Sequence, residues 1–401
     1  MLRFTAPLAL LAVAVHAQTA VNITSSCTPN VVYGFNAGAI PALNTGAGGS
    51  SNLRWNGLAG QDQLFANWWY YRVAGDTREF SFSRAATSGI QNPLAPIVVS
   101  PKGDTATIEW VNLDGKGLNA RLITRVYSTA TTAAPNGGVA SECMEISNTT
   151  SAPIVLNLFH YADFDVCGTL ANNALFVGPP QQIEVNAATC PIKCYHLGCG
   201  WNNYLTALFG AASAQSLCIN AVIDNLNNTG IPFAAGDWTN GYQWQDITIP
   251  PGGRVMRFYT GLSCDRQIPC CDPATIESYC VGKPGTNGIP RWGDNPMYAC
   301  GQTELKVLNC LPGSPPIMVI GVPPGVCVPV PGIGSLAVLP ILVVVNMAPA
   351  NGAGVSALCL SIPWDPSFCG AMLNLQAFVI DGGAVGGIAH TDGCKFTIGS
   401  L

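Results

Sequence analysis

Charged side chains are scarce in this 401-residue chain, because Asp, Glu, Lys and Arg together make up only 10% of it. Ordinary soluble domains are about one quarter charged. There is no basic excess either, since 17 Lys and Arg stand against 22 Asp and Glu, and the formal net charge is −5. Nucleic-acid binding is therefore not expected. The 48% of hydrophobic residues excludes a disordered chain.

The chain also lacks long uninterrupted apolar runs. The most apolar stretch, residues 333–347, contains Gly334, Pro340 and Asn346 and is shorter than the ~20 residues of a membrane-spanning helix. We therefore expect no transmembrane segment in the mature chain. The three consecutive valines at 343–345 are β-branched, and they predict a fully buried strand.

The first residues have the pattern of a secretory signal peptide. Arg3 gives a positive start, residues 8–15 form a short apolar core, and residues 15–17 end in a small side chain suited to cleavage. We expect residues 1–17 to be removed. The mature protein is then secreted and works outside the cell or at the cell surface.

Seventeen cysteines fit an exported protein, because disulfides persist in oxidising compartments. An even group of them lies at or before Cys264, and an odd group follows it. The odd group leaves one thiol unpaired unless a bridge crosses between the groups. We expect at least roughly six disulfides, and the sequence leaves their connectivity open.

Frequent chain-turning residues, 44 Gly and 30 Pro, predict short elements with little helix. We predict a mainly β chain of two antiparallel β-sandwich or barrel-like domains stapled by disulfides. The N-terminal domain covers residues 27–264, a Cys- and Pro-containing linker covers 265–277, and a C-terminal β module covers 278–401.

The pattern of apolar residues predicts individual strands. In the first domain it predicts strands at 105–111, 120–127 and 153–166, a strand pair at 243–259, and a helix-capable segment at 203–217. In the second domain it predicts strands at 304–310, 317–322, 341–345, 357–362, 372–380 and 395–398.

The last third of the chain carries a family resemblance. Residues 361–370 form a turn with the pattern Ile-Pro-x-Asp-Pro, a strand with Gln376 and Ala377 follows and ends at Asp381, and the final strand ends at Gly399. Residues from about 279 to 401 resemble a module of uncharacterised secreted β-sandwich proteins of planctomycete-type bacteria. The resemblance implies export and a β fold but no activity. Extra cysteines suggest a disulfide-stapled variant of that module.

The first domain resembles exported β-sandwiches more weakly, through residues 145–150, 159–165 and 244–253. Large antiparallel sandwiches of the mutarotase type have a similar succession of strands and turns. The His and Glu pair of that family has no aligned counterpart here, so the resemblance implies no catalytic residue.

Asp163 and Asp165 are two positions apart in a predicted strand, so their side chains share one face. They can bond backbone amides at a strand end, hold Ca²⁺ through oxygen ligands, or flank a glycosidic bond as an acid and a base. We favour the structural role, followed by calcium, and we expect no other cofactor.

Cys190, Cys194, His196 and Cys199 form a dense group of metal-capable residues. Thiolate and imidazole together suit tetrahedral Zn²⁺. Irregular spacing and an oxidising compartment favour disulfides over zinc.

Trp69 and Tyr71 belong to an aromatic run at 68–71, and Trp55 lies upstream. The rings offer either a stacking platform for sugars or core packing, since alternation sends only half of the run to each face.

Signatures of nucleophile elbows, zinc proteases and nucleotide-binding loops are absent from the sequence. We therefore expect a non-catalytic protein of the cell surface or extracellular matrix, with a structural or adhesive role and surface proteins or further copies of itself as partners. The alternative is a carbohydrate-binding or carbohydrate-active β-sandwich protein with a polysaccharide partner.

Overall fold

The computed structural model describes residues 20–25, 31–36, 51–55, 61–82, 97–100, 103–129, 137–179, 181–210, 222–270, 272–293, 296–298, 302–362 and 366–400. The expected signal peptide, residues 1–17, lies outside the described residues. None of the helices among the described residues is long and apolar enough to cross a membrane.

The described residues form antiparallel sheets joined by turns. The strands of the N-terminal part are β1 (Ala20–Thr24), β2 (Val31–Asn36), β3 (Ser51–Trp55), β4 (Leu64–Val73), β5 (Phe80–Ser81), β6 (Val98–Val99), β7 (Thr105–Trp110), β8 (Leu118–Ser128), β9 (Gly138–Asn148), β10 (Ile154–Phe164), β11 (Asn172–Val177), β12 (Gln182–Ala187), β13 (Lys193–Gly198), β14 (Asn203–Leu208), β15 (Phe233–Gly236), β16 (Trp238–Ile249) and β17 (Val255–Cys264).

The strands of the C-terminal part are β18 (Thr275–Ser278), β19 (Arg291–Trp292), β20 (Gln302–Leu308), β21 (Ile317–Gly321), β22 (Val328–Val330), β23 (Gly334–Leu336), β24 (Ile341–Asn346), β25 (Ser356–Ser361), β26 (Met372–Ile380), β27 (Ile388–His390) and β28 (Cys394–Thr397). Short 3-10 turns lie at Leu113–Gly115, Val166–Gly168, Pro366–Phe368 and Val385–Gly387. The predicted fold class is confirmed: the protein is mainly β, antiparallel and disulfide-linked, with little helix.

Two large sheets build the N-terminal part. A nine-stranded sheet has the order β15-β11-β12-β13-β17-β9-β8-β7-β6, and a five-stranded sheet has the order β14-β16-β10-β4-β5. Alternation explains the packing of β8, because Leu118, Ala120 and Leu122 are buried while Arg121 is exposed. Apolar side chains from both sheets form one core cluster.

The C-terminal part has a six-stranded sheet with the path β18-β28-β26-β21-β24, in which β27 pairs with β26. Smaller sheets join β19, β20 and β25, and β22 with β23. A second core cluster lies here and includes Leu375, Ala377 and Phe396. The end of the predicted linker belongs to this part, because β18 pairs with β28.

The N- and C-terminal parts contact each other through aromatic side chains. The rings of Tyr127 and Tyr298 stack with their centroids 4.5 Å apart. Tyr127 Oη donates to the carbonyl oxygen of Ser400 at 2.6 Å, and Arg125 Nη1 donates to Tyr298 Oη at 3.0 Å. Independent folding of the two parts stays a prediction.

Two predicted elements differ in the structure. The helix-capable segment 203–217 begins with a strand, β14, since pairing with β16 overrides the weak helix preference of its Ala and Leu. Residues 211–217 lie outside the described residues. The strand predicted at 341–345 exists as β24, but its side chains are exposed, because β24 is the edge of its sheet and has β21 as its neighbour.

Disulfides link distant parts of the chain. The pairs among the described residues are Cys167–Cys190, Cys194–Cys264, Cys270–Cys369 and Cys280–Cys327. Cys199 and Cys359 are also disulfide-bonded. Cys143, Cys310 and Cys394 are free thiols in the structure, with Cys310 and Cys394 buried.

We expect these three free thiols to resist alkylation in the folded protein. Burial raises the pKa of Cys143 to about 12 and those of Cys310 and Cys394 to about 11, so reactive thiolate is scarce. Iodoacetamide labelling without reductant, read by peptide mass spectrometry, should mark all three only after denaturation. Rapid labelling of Cys310 or Cys394 under native conditions would contradict their burial.

Candidate functional site

A chain of buried polar side chains connects the two large sheets of the N-terminal part. It consists of Glu142 on β9, His160 on β10, His196 on β13 and Asn240 on β16, and it is termed the buried polar chain below. His160 Nε2 lies 3.2 Å from Glu142 Oε2, and His160 Nδ1 lies 2.9 Å from His196 Nε2. Asn240 Nδ2 lies 3.1 Å from His196 Nδ1. Members alternate between the sheets, so the chain spans the space between them.

The carboxylate of Glu142 receives four hydrogen bonds. Tyr33 Oη and Asn67 Nδ2 each donate to Oε1 at 2.9 Å, and Trp69 Nε1 donates to Oε2 at 2.7 Å. His160 donates the fourth. Burial alone raises the pKa of Glu142, but His160, together with Trp69 and Tyr33, reverses that effect and lowers the pKa below its usual value. The carboxylate is therefore ionised inside the core.

The hydrogen bonds of the buried polar chain all donate in the same direction, toward Glu142. If His160 donates from Nε2 to Glu142, its Nδ1 accepts the Nε2–H of His196. His196 Nδ1 then accepts from Asn240, whose Oδ1 accepts from Thr206 Oγ1 at 2.8 Å. Burial, followed by the electrostatic effect of the neighbouring His160, holds the pKa of His196 well below its usual value, so His196 stays neutral.

The exposed fraction of every member of the buried polar chain is 3% or less. A carboxylate bonded to an imidazole is a common general base, but such a base must touch the proton that it removes. In this conformation the side chains of Glu142 and His160 are only 3% and 0% exposed, so solvent and substrate have almost no access to the carboxylate and the imidazole. The arrangement holds the ionised carboxylate of Glu142 between the two sheets and fixes how the sheets pack.

The sequence analysis missed this chain of residues because its members come from four strands that are distant in sequence. One signal was present. His160 stands at an inward position of β10 between the buried apolar residues Phe159 and Tyr161, where an unpaired polar group would be costly. A polar residue at such a position needs a partner, but the sequence does not say from which strand.

The predicted sugar-stacking platform is wrong for Trp69 and Tyr71, because both side chains are 0% exposed. The five-stranded sheet is covered on both faces at β4, so the whole run 68–71 is buried. The ring of Trp69 stacks on Trp244 at a centroid distance of 5.5 Å, and Tyr71 contacts Phe82 at 4.8 Å. The side chain of Trp55 lies outside the described residues.

The predicted Cys and His group does not form a metal site. Cys190 pairs with Cys167, Cys194 pairs with Cys264, and Cys199 is also disulfide-bonded. Oxidised sulfur is not the thiolate that binds zinc. The imidazole of His196 belongs to the buried polar chain instead. The disulfide interpretation is therefore confirmed and the zinc alternative is wrong.

Asp163 and Asp165 lie next to a third carboxylate that the sequence analysis missed, Asp237. One ligand oxygen of each residue lies within 4.8 Å of the others. Burial, then Asp165 and Asp237, raise the pKa of Asp163 well above its usual value, and burial with Asp237 and Asp62 raises that of Asp165 to about 6. Asp237 is distant in sequence, and only the strand order brings it here.

A pocket of about 310 Å³ lies on the outer face of the nine-stranded sheet, where the chain enters the C-terminal part. Arg257 Nε donates to Glu145 Oε1 at 2.8 Å on its wall. Ligand pockets usually measure ~300–1,000 Å³, so this one is at the small end. Its lining residues are Ile123, Arg125, Ser141, Glu142, Cys143, Glu145, Arg257, Tyr259, Pro273, Ala274 and Thr275.

The fold and site together define a disulfide-linked antiparallel β protein whose polar centre is closed. No protein-family model matches the sequence, and no curated protein matches it. Among solved structures, a bacterial glucoamylase complexed with acarbose is similar with a TM-score of 0.41 and 9% identity, over 63% of this chain and 32% of that one. A GalM/aldose epimerase homologue from C. elegans is similar with a TM-score of 0.34 and 8% identity, over 62% of this chain and 99% of that one. Both are sugar-related proteins by their descriptions, and likeness at these scores assigns no activity to this chain.

We expect Glu142→Gln to destabilise the protein by on the order of 3 kcal/mol, because the new amide nitrogen meets groups that donate hydrogen bonds. Denaturant unfolding measures the change in the free energy of unfolding. The matched control is Glu145→Gln on the same strand, whose carboxylate faces outward and pairs with Arg257. Surface pairs contribute about 1 kcal/mol or less. Equal losses for the two variants would contradict the role of Glu142.

We expect His196 to make a contribution to stability that is lost as the pH drops from 7 to 5. Its pKa is lower in the folded than in the unfolded protein, so its contribution is present above the unfolded value of ~6.5 and is lost as the pH falls below it. The groups around its ring are His160, Asn240 and Tyr242. Plotted against pH, the melting temperatures of the wild type and of His196→Gln should have different slopes between pH 7 and 5 and equal slopes between pH 7 and 8. Parallel curves over the whole range would refute this.

Proposed function

We propose that this protein is an exported, non-catalytic structural or adhesive protein that associates with a second copy of itself through the edge strand β24. Its disulfides support export, since such bonds persist in oxidising compartments. The closed polar centre supports a structural role. The single observation that carries the proposal is the exposed apolar edge of the six-stranded sheet.

Strand β24 exposes apolar side chains on both of its faces. Ile341 is 41% exposed, Leu342 57%, Val343 49% and Val344 59%. Among the described strands, β24 pairs only with β21, so its other backbone edge has no strand beside it. Native proteins usually protect such edges with Lys, Pro, bulges or a covering segment, because an open edge recruits another strand.

The stretch of sequence on either side of β24 carries no charge that would oppose a second copy. From Val307 to Trp364 the sequence contains no Asp, Glu, Lys, Arg or His. Two chains of net charge −5 repel each other over most of their surfaces, but this segment brings no like charges together. This segment offers a charged partner no group of opposite charge. It does offer an identical apolar strand a matching apolar surface.

Antiparallel pairing of β24 with its own copy is compatible with a two-fold axis. Such an interface is self-complementary, and it joins two sheets into one continuous sheet. A pair of six-residue strands is small beside the ~1,600 Å² of a standard stable interface. We therefore expect a weak dimer that forms as the concentration rises.

Sugar binding, the alternative function, loses two of its three predicted aromatic residues, because the rings of Trp69 and Tyr71 are buried. A glycan screen of the purified protein remains the direct comparison between the two functions.

Val344→Lys should abolish self-association, because a lysine on an edge strand opposes pairing. Sedimentation velocity over a range of concentrations should show a dimer fraction that grows in the wild type and is absent in the variant. Val281→Lys is the matched control, since Val281 is 80% exposed outside β24. This control should dimerise like the wild type. A wild type that stays monomeric throughout, or a dimer that persists in Val344→Lys, would refute the proposal.

A further inference from the structure

Several buried oxygen atoms lack hydrogen-bond partners where β10 ends and β16 begins. They are Oδ1 of Asp163, Oδ1 of Asp165 and Oδ1 of Asn172. Asp163 is 1% exposed and Asn172 is 0% exposed. A buried carboxylate or amide oxygen without a partner is costly, so such atoms normally meet a donor or a cation.

Asn172 is independent evidence for a ligand site here, because its side chain is an amide and not one of the three carboxylates. Its Nδ2 donates to the carbonyl oxygens of Phe164, at 3.1 Å, and Thr169, at 2.8 Å. Phe164 stands between Asp163 and Asp165 in the chain. In the pairing of β11 with β15, Asn172 lies opposite Gly236, the residue before Asp237. The amide is thus anchored between the segments that carry all three carboxylates.

The three carboxylates have no basic partner among the ion pairs of the described residues. Asp62, whose charge acts on Asp165, is itself paired with the guanidinium of Arg54 at 3.3 Å. Tyr161 Oη donates to Asp163 Oδ2 at 3.2 Å, and this is a neutral donor. Three carboxyl groups collected at a partly buried place must take up protons or meet a counter-charge, and the ion pairs of the described residues supply no such charge.

We propose that Asp163, Asp165 and Asp237, with the amide oxygen of Asn172, bind one Ca²⁺ ion. Carboxylate and amide oxygens are the hard ligands that Ca²⁺ takes, at 2.3–2.6 Å. Two oxygens on one such ion lie at most ~5 Å apart, and the three carboxylates offer atoms within 4.8 Å of one another. Asp165 and Asp237 are partly exposed, so the ion enters from solvent and water completes its coordination.

The ion would join the two large sheets. Asp163 belongs to β10 of the five-stranded sheet, and Asn172 begins β11 of the nine-stranded sheet. Asp237 connects β15 of one sheet with β16 of the other. The 3-10 turn Val166–Gly168, which directly follows Asp165, is also tied by the disulfide of Cys167 with Cys190. Calcium would therefore restrain the same region of the chain that the disulfide already restrains.

The test compares two single-charge removals on chelator-treated full-length protein. Asp237→Asn removes a ligand, whereas Asp246→Asn removes the same charge from strand β16, away from the site. Asp246 has a positive φ of 51°, which Asn tolerates, and its Oδ1 accepts from Asn157 as an Asn oxygen also can. Calorimetric titration with CaCl2 should give one ion per chain for wild type and Asp246→Asn and no saturable binding for Asp237→Asn.

Thermal melting separates a metal site from a merely structural cluster. With EDTA, Asp237→Asn should melt at or above the wild-type temperature, because it relieves repulsion between carboxylates. With CaCl2 the order should reverse, since only the wild type gains from the ion. A variant that melts lower than the wild type by the same amount in both conditions would overturn the proposal.

A direct measurement keeps the proposal testable if Asp237→Asn does not fold. Terbium replaces calcium in oxygen sites, and Trp238, next to Asp237, is placed to sensitise its emission. We expect tryptophan-excited terbium emission from the wild type that CaCl2 displaces and MgCl2 displaces poorly. No bound emission and no shift in melting up to about 10 mM CaCl2, beyond the ~10⁻³ M range of weak extracellular sites, would refute the site. Equal displacement by MgCl2 would overturn its assignment to calcium.

Discussion

The packing of the N-terminal part depends on one negative charge held away from water. Glu142 comes from the nine-stranded sheet, and all four of its donors come from other strands that must reach it in the right register: Tyr33, Asn67, Trp69 and His160. Because strand register has a period of two, a slip of one residue on β4 would turn Asn67 and Trp69 away from the carboxylate. The buried charge thus specifies the alignment of strands that apolar packing alone would leave less defined.

The local pattern of the sequence predicted those elements whose environment is simple. β8 alternates between core and solvent, and its strand was predicted correctly at 120–127. Exposure was harder to predict, because it depends on which strands are neighbours. The valines of β24 have the composition of a buried strand, but the strand order leaves them at an edge.

The candidate sites show the same limit. Asp163 and Asp165 were recognised because they are only two positions apart in sequence, whereas Asp237 and Asn172 join them only through the pairing of β11, β15 and β16. The aromatic run at 68–71 was correctly recognised as a pattern, but alternation could not show that both faces of β4 are covered. Chemistry that is assembled from distant strands has no sequence signal beyond a polar residue at an inward position.

The bond between Cys270 and Cys369 has a consequence for how the protein comes apart. Cys270 is attached to the N-terminal part through the peptide chain, while Cys369 belongs to the C-terminal part, 99 residues further along the sequence. A protease that cuts between Asp272 and Thr275 would therefore release neither half, and the nicked protein would keep its mass until a reductant opens the bridge. The connection between the two parts, in which Asp272 is exposed, is therefore secured by a disulfide as well as by the peptide chain.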